Sequence, residues 1–90
     1  MAILTDHARV RMQQRGIPAA ALDALLDFGR VRPARGGREI VFFDKRSRAR
    51  LAKTGRLAAA EAERACKSYA ILESDGAVIT VGHRYRRIPR

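Results

Sequence analysis

The first residues that could carry chemistry form a row near the start of the chain. His7, Arg11 and Arg15 are spaced four residues apart, so on a helix they project from one face. Basic side chains in line repel one another unless an anion or a carboxylate lies between them. A nucleic-acid phosphate would supply that anion. The same row is also compatible with a solvated helix face, or with an arginine bound to a carboxylate of a second helix.

The C-terminal part of the chain contains the strongest hairpin signal. Asp75-Gly76 lies between two stretches with the β-branched and aromatic residues typical of strands, a pattern that predicts a two-residue turn. With such a turn, the register places Ser74 opposite Ala77. It also places Leu72 opposite Ile79, and Ala70 opposite Val81.

Side chains alternate along the second strand of this hairpin. We expect the core face to hold Ile79, Val81, His83 and Tyr85, the last two where the core ends, and the other face to hold Val78, Thr80, Gly82, Arg84 and Arg86. A histidine at a core edge and a packed tyrosine ring are the structural alternatives to a functional role for His83 and Tyr85.

Histidine, tyrosine and arginine together are the groups that metal-free RNA cleavage uses. Histidine exchanges protons near neutral pH, and arginine supplies fixed positive charge for phosphate oxygens. Tyrosine can stack on a base or donate a proton. The candidate catalytic residues are therefore His7, Arg11, Arg15, His83 and Tyr85. The candidate nucleic-acid contacts are Thr80, Arg84, Arg86, Arg87, Lys45 and Arg46.

Other reaction classes have no matching pattern in this sequence. The glycine-rich phosphate loops GxxxxGK[ST] and GxGxxG do not occur. Two histidines and the single Cys66, without ligand-like spacing, do not indicate a metal site. The carboxylates lie mostly outside the basic segments, which disfavours a two-magnesium nuclease site. We expect no cofactor and no metal.

The elements that must position these residues follow the order ααββααββ. Helices are predicted from Asp6 to Arg15 and from Ile17-Pro18 to Gly29, then over 45–54 and 57–66. Strands are predicted over 31–34, 39–43, 68–73 and 77–87. Because the apolar residues of the 39–43 strand are continuous, from Ile40 to Phe43, both of its faces should be covered. The predicted fold class is α+β, with two N-terminal helices on a small antiparallel sheet and a helical insertion before the C-terminal hairpin.

The net charge of +10 over 90 residues is concentrated in two segments. Residues 30–56 contain ten basic and two acidic side chains, and residues 76–90 contain four arginines and no acid. Concentrated charge of one sign repels itself and is best tolerated beside an anionic partner. Nucleic acid, an acidic protein and an anionic membrane surface are the candidates, and a basic face without a specific partner is the alternative.

Two stretches of the chain resemble the DUF4258 family. His7-Ala8-Arg9-Val10-Arg11-Met12-Gln13-Gln14-Arg15-Gly16-Ile17 follows its opening pattern H-A-x-x-R-M-x-x-R-G-I, and a helix ending in Gly29 comes next. Residues 75–81 are similar to the final hairpin of that family. Together these matches cover both ends, about half of the chain. The first match is fairly specific, whereas the hairpin alone is weak.

The resemblance implies a RelE-like or barnase-like ribonuclease superfamily fold, in which many relatives are toxins of toxin–antitoxin pairs. It points to His7, Arg11 and Arg15 of the first helix and to Thr80 of the last strand as shared polar residues. Residues 45–67 and the basic ending 82–88 depart from the short form of the family. These departures could alter the substrate or mark a branch that has lost catalysis.

Three functional hypotheses remain for a single domain spanning residues 1–90. The leading one is an RNA-binding protein that acts as a metal-independent endoribonuclease toxin. The second is a non-catalytic nucleic-acid-binding module, and the third is a basic partner of an acidic antitoxin-like protein. No apolar run approaches the length of a membrane span and no secretory signal is visible, so we expect a bacterial cytoplasmic protein that does not bind membranes.

Overall fold

The computed structural model describes residues 3–84. Helix α1 (Asp6–Arg15) begins at Thr5, whose hydroxyl oxygen accepts a hydrogen bond from the Ala8 amide. It ends at Gly16, which has the left-handed conformation that a non-glycine residue adopts at a cost (φ 63°). Both ends of α1 confirm the sequence prediction.

Helix α2 (Ala19–Phe28) begins two residues later than predicted. Pro18 has extended backbone angles and precedes the helix instead of forming its first turn. Its carbonyl accepts from the amides of Ala21 and Leu22. Gly29 ends the helix as expected, although in an extended conformation.

The four strands form one antiparallel meander, in the order β1-β2-β3-β4. The strands are β1 (Arg30–Pro33), β2 (Glu39–Phe42), β3 (Ser68–Leu72) and β4 (Val78–His83). A single 3-10 turn at Arg35–Gly37 connects β1 to β2. Helices α3 (Lys45–Thr54) and α4 (Ala59–Ala65) lie between β2 and β3. The predicted α+β class and the order ααββααββ are confirmed.

The turn of the β3–β4 hairpin differs from the prediction. Glu73 lies opposite Ala77, with its amide donating to the Ala77 carbonyl at 2.8 Å, so the turn contains three residues and not two. Gly76 occupies its last position with φ 90°. A bulge at Ile79 then restores the predicted pairing of Ala70 with Val81.

The bulge also changes which side chains of β4 share a face. The predicted alternation places Val78 on the face of the sheet away from the core. In the structure, Val78 is fully buried and packs in the same apolar cluster as Val81. Thr5 and Ile3 exchange backbone hydrogen bonds with Val78, so Val78 is held at the point where α1 begins. Beyond the bulge, the alternation predicted for β4 is retained.

The core lies between the helices and one face of the sheet. Its cluster includes Ala8 of α1, Leu22 and Leu25 of α2, and Val41 and Ala70 of the sheet. Phe42 is also fully buried, but it lies on the opposite, outer face of β2. Both faces of this strand are therefore covered at its end, as its continuous apolar sequence predicts.

Candidate functional site: a basic end of the sheet

The two basic segments of the sequence meet at one end of the sheet. Because the strands are antiparallel, β2 ends where β3 begins and β4 ends: Phe42 pairs with Tyr69, and Ser68 pairs with His83. Helix α3 also begins there. We call this region the basic end and define it by the residues Lys45, Arg48, Lys67 and Arg84. The Arg84 amide donates to the Lys67 carbonyl at 2.6 Å, which extends the ladder to the last described residue.

His83 lies on the helical side of the basic end, beside a cavity of about 300 Å³. The cavity lies between the α1–α2 connection, helix α4 and the ends of β3 and β4. Its apolar wall includes Ile17, Pro18, Ala21, Leu57 and Ala65. Its polar lining consists of Glu61, Arg64, Lys67, Ser68 and His83. This size is at the small end of ligand pockets.

A backbone carbonyl orients the His83 ring. Its Nε2 lies 2.8 Å from the carbonyl oxygen of Arg15, at the end of α1. A carbonyl oxygen can only accept a hydrogen bond, so Nε2 carries the hydrogen. In the neutral ring, Nδ1 then has the lone pair that can take up a proton. His83 is therefore held in the tautomer whose Nδ1 can act as a base.

His7 and Arg11 contact each other, but the structure does not bring His7 to His83. Arg11 donates from Nε to His7 Nε2 at 3.5 Å on an exposed surface. His7 lies eight residues before Arg15, which corresponds to about 12 Å along the helix axis. Helix α1 runs in the same direction as β4, with Leu4 beside Val78 at one end and Arg15 beside His83 at the other. The two histidines thus lie towards opposite ends of α1.

Only the backbone of Arg15 contacts His83, although the sequence grouped its side chain with the catalytic residues. Arg15 is exposed at the last position of α1. The cavity beside His83 begins at Gly16, the residue that follows Arg15, and no residue of α1 lines it. Of the predicted row on α1, Arg15 is therefore the member that lies at the basic end.

Arg84 lies on the other side of β4, in a cleft of about 380 Å³. Its Nη1 donates to the Phe43 carbonyl at 2.6 Å, and its guanidinium carbon is 5.1 Å from the centre of the Phe42 ring. The cleft is lined by Phe42, Phe43, Asp44, Lys45, Arg48 and Arg84. Two of the predicted nucleic-acid contacts, Lys45 and Arg84, therefore lie together. Arg84 is an oriented charge because the backbone and an aromatic ring hold its side chain.

Asp44 positions the basic first turn of α3. Its carboxylate accepts from the Ser47 amide and its own amide donates to the Ser47 hydroxyl, both at 2.9 Å. This reciprocal capping places Lys45 and the neighbouring Arg46 at the exposed start of the helix. Hydrogen bonding from Ser47, followed by the nearby Arg30 guanidinium, holds the pKa of Asp44 well below its usual value, against the opposing effect of burial. Among residues 3–84, Asp44 is the only carboxylate that lines the cleft, and it is thus committed to the fold.

The remaining predicted residues divide into two groups. Thr80 is on the outer face of β4, opposite Ile71, on the same side as Gly82. It does not line the His83 cavity or the Arg84 cleft. Tyr85, Arg86 and Arg87 lie outside the described residues.

Four further residues at this end of the sheet were not predicted from the sequence: Arg48, Arg64, Lys67 and Tyr69. Arg48 and Arg64 could have been found only from the packing of α3 and α4, which no periodicity predicts. Arg48 also lies beside Cys66, where its charge offsets part of the rise in the thiol pKa that burial causes. Tyr69 could have been found from the sequence, because the predicted pairing of Ala70 with Val81 already places Tyr69 opposite Gly82.

Within residues 3–84, no three His, Cys, Asp or Glu side chains come together in a way that could hold a metal ion. No helix of that part of the chain is long and apolar enough to cross a membrane. Comparisons with protein-family models, with curated proteins and with solved structures return no match.

Proposed function

We propose that this protein binds RNA at the basic end of its sheet and cleaves it there without a metal ion. The observation that carries the proposal is the position of His83. Its ring is oriented by the Arg15 carbonyl, and it lines a cavity together with Arg64 and Lys67. A histidine with a defined tautomer next to fixed positive charge is the arrangement that phosphodiester transfer requires.

In the proposed reaction, His83 removes a proton from the RNA. Nδ1 of the neutral ring accepts the proton of a ribose 2′-hydroxyl, and the 2′-oxygen attacks the adjacent phosphorus. The bond from phosphorus to the 5′-oxygen breaks, and that oxygen takes a proton from a solvent water, while the proton on Nδ1 of His83 passes to the hydroxide so formed. The products are a 2′,3′-cyclic phosphate and a 5′-hydroxyl. Lys67 and Arg64 would stabilise the additional negative charge on the phosphorane.

The test is incubation of the pure protein with a single-stranded RNA in EDTA, with analysis of the product ends. We expect 2′,3′-cyclic phosphates, strongly reduced cleavage by His83→Ala, and retained cleavage by His7→Ala. His7 is the matched control because it is the other histidine of the chain and lies towards the far end of α1. Full cleavage by His83→Ala would show that the assignment to His83 is wrong.

One observation favours a second function, RNA binding without cleavage. His83 is the last residue of β4 and Arg84 follows it, and their side chains line two different cavities that share no lining residue. A phosphate held by Arg84 in its cleft is therefore not the phosphate beside His83. Salt-dependent binding of RNA by the wild-type protein, with intact RNA after long incubation, would support this module over the enzyme.

We further propose membership of the DUF4258 family and, with it, an acidic antitoxin-like protein as a physiological partner. The family proposal is supported by the resemblance of residues His7–Ile17 to the family's opening pattern and by two N-terminal helices followed by an antiparallel sheet. The partner proposal is supported by the net charge of +10. Growth arrest on expression in a bacterial host, relieved by co-expression of an acidic neighbouring gene product, tests the partner proposal. Toxicity that no such product relieves would contradict the partner proposal.

A further inference from the structure

The outer face of the sheet contains an aromatic row at the basic end. The strand register places Arg30 opposite Phe42, Phe42 opposite Tyr69, and Tyr69 opposite Gly82. These residues form one rung across all four strands, and we call it the outer rung. The helical core cluster contains none of them. The row therefore belongs to the face that points away from the core.

The Tyr69 ring lies directly over Gly82. A Cβ atom built on Gly82 would be 3.0 Å from Cε1 and from the hydroxyl oxygen of Tyr69, and 3.1 Å from Cζ. Such close approach of three ring atoms means that the ring covers the place where any other residue would carry a side chain. Glycine at position 82 thus lets the tyrosine lie down on the strand, in a half-buried position.

Positive charge lies near both ends of the outer rung. Arg30 stands at the other end of the outer rung and is 3.1 Å from the Asp44 carboxylate. Arg84 directly follows β4, two residues beyond Gly82, and its guanidinium lies over Phe42. Arg32 occupies the neighbouring rung through its pairing with Ile40. Aromatic rings among cations form the surface that binds single-stranded nucleic acid, because the ring stacks on a base while the cations follow the phosphates.

We propose that Tyr69, lying on Gly82, is a stacking site for one unpaired base of the bound RNA. The inference rests on the RNA-binding part of the proposed function and not on cleavage. The chemical class of ligand is a single-stranded oligonucleotide. Recognition is independent of sequence, since every base has a face that can stack. The competing interpretation is a ring that only covers the strand.

Tyrosine fluorescence offers a direct test. The chain has two tyrosines and no tryptophan, so the variant Tyr85→Phe leaves Tyr69 as the only strongly fluorescent side chain. Only the fluorescence measurement uses this background, and binding affinities are compared in the chain that keeps Tyr85. The probes are a short oligouridylate and an abasic oligomer of the same length and charge, which provides phosphates without bases.

We expect the oligouridylate to quench Tyr69 emission and the abasic oligomer to leave it unchanged. The variant Tyr69→Leu, which keeps apolar cover on Gly82 but removes the ring, should weaken oligouridylate binding roughly 5- to 150-fold. The same substitution should leave the affinity for the abasic oligomer unchanged, and also the slope of log K against log salt. The variant Tyr69→Phe is the matched control and should retain the affinity, because the stacking surface remains.

Two other outcomes have distinct meanings. If both oligomers bind with equal affinity, without quenching and without an effect of Tyr69→Leu, the stacking site is wrong and RNA binding stands. If neither oligomer binds, both the stacking site and the proposed function are wrong. Circular dichroism of each variant establishes that the sheet is intact before binding is compared.

Discussion

The imidazole Nε2 of His83 donates a hydrogen bond to the carbonyl oxygen of Arg15 at 2.8 Å, across 68 residues of sequence. The carbonyl belongs to the last turn of α1, where backbone oxygens have no partner within the helix. This hydrogen bond therefore has two effects. It gives the Arg15 carbonyl a partner, and it defines the orientation of the His83 ring. The last strand and the first helix are linked at the end of the sheet where positive charge collects.

The first prediction concerns the tautomers of the two histidines. His83 donates from Nε2, whereas His7 accepts at Nε2 from Arg11. In their neutral forms, we expect hydrogen on Nε2 of His83 and on Nδ1 of His7. Long-range ¹H–¹⁵N correlation spectra at mildly alkaline pH distinguish the two forms. The same tautomer in both rings would mean that one of these contacts does not form in solution.

The second prediction concerns the salt dependence of RNA binding. Lys45 lines the Arg84 cleft, whereas Lys53 is near the other end of α3. If Lys45 contacts a phosphate, Lys45→Gln lowers the slope of log K against log salt by about 0.7, the value for one contact to a single strand. Lys53→Gln, which removes the same charge from the same helix, should leave the slope nearly unchanged. Equal effects of the two variants would indicate diffuse attraction and not binding at the cleft.

The third prediction concerns Asp44 and the stability of the fold. Asp44→Ala removes the cap of α3 and should lower the free energy of unfolding by about 1 kcal/mol, within a range of roughly 0.5–2. Asp44→Asn keeps a capping oxygen but removes the charge beside Arg30. Near neutral pH, it should therefore lower the free energy of unfolding by less than Asp44→Ala does. Urea unfolding of the three proteins measures both differences.

The stability conferred by the Asp44 charge should depend on pH. The pKa of Asp44 is lower in the folded protein than in the unfolded chain. The ionised carboxylate therefore stabilises the fold above about pH 4, and this contribution disappears as the pH falls towards the pKa of the folded state. The difference in stability between wild type and Asp44→Asn should be constant above about pH 5 and should narrow as the pH falls from about 5 to about 2. A difference that stays constant over this range would contradict the lowered pKa.

The fourth prediction compares two glycines that end helices for different reasons. A Cβ on Gly29 would overlap the Leu25 carbonyl oxygen and lie 2.7 Å from Cγ1 of Val41. Gly16 has open space around it and needs glycine only for its positive φ. Gly29→Asn should therefore cost about 1–3 kcal/mol or more through overpacking. Gly16→Asn should cost less than about 1 kcal/mol, because asparagine adopts this conformation readily. Thermal unfolding measures both, and the reverse order would contradict this packing.

The local signals in the sequence were sufficient for most of the elements. Thr5 and Gly16 define the two ends of α1, because a hydroxyl cap and a left-handed glycine act over three or four residues. Asp44 and Gly55 define α3 in the same way. The turn at Asp75-Gly76 was the exception. The extra residue in the turn and the bulge at Ile79 compensate each other. The predicted register of β3 with β4 is therefore correct from Thr80 onward and wrong between the turn and the bulge.

The candidate site was only partly predictable. The alternation of β4 correctly separates His83 from Arg84, because side-chain direction along a strand is a local property. It does not show that His83 faces the end of α1, or that Arg84 reaches Phe42. Those contacts join residues about 40 to 70 positions apart, and they depend on how α1 packs along β4 and on where α3 begins.

The sequence by itself determined the α+β class, the order of the elements, the ends of the capped helices and the presence of two basic segments. Periodicity, caps and turns act within a few residues, so the chain specifies these features locally. Only the tertiary structure decided that the two basic segments meet at one end of the sheet, with His83 among them and His7 away from them. The antiparallel meander and the parallel course of α1 and β4 produce that arrangement, because they determine which ends of the elements lie together.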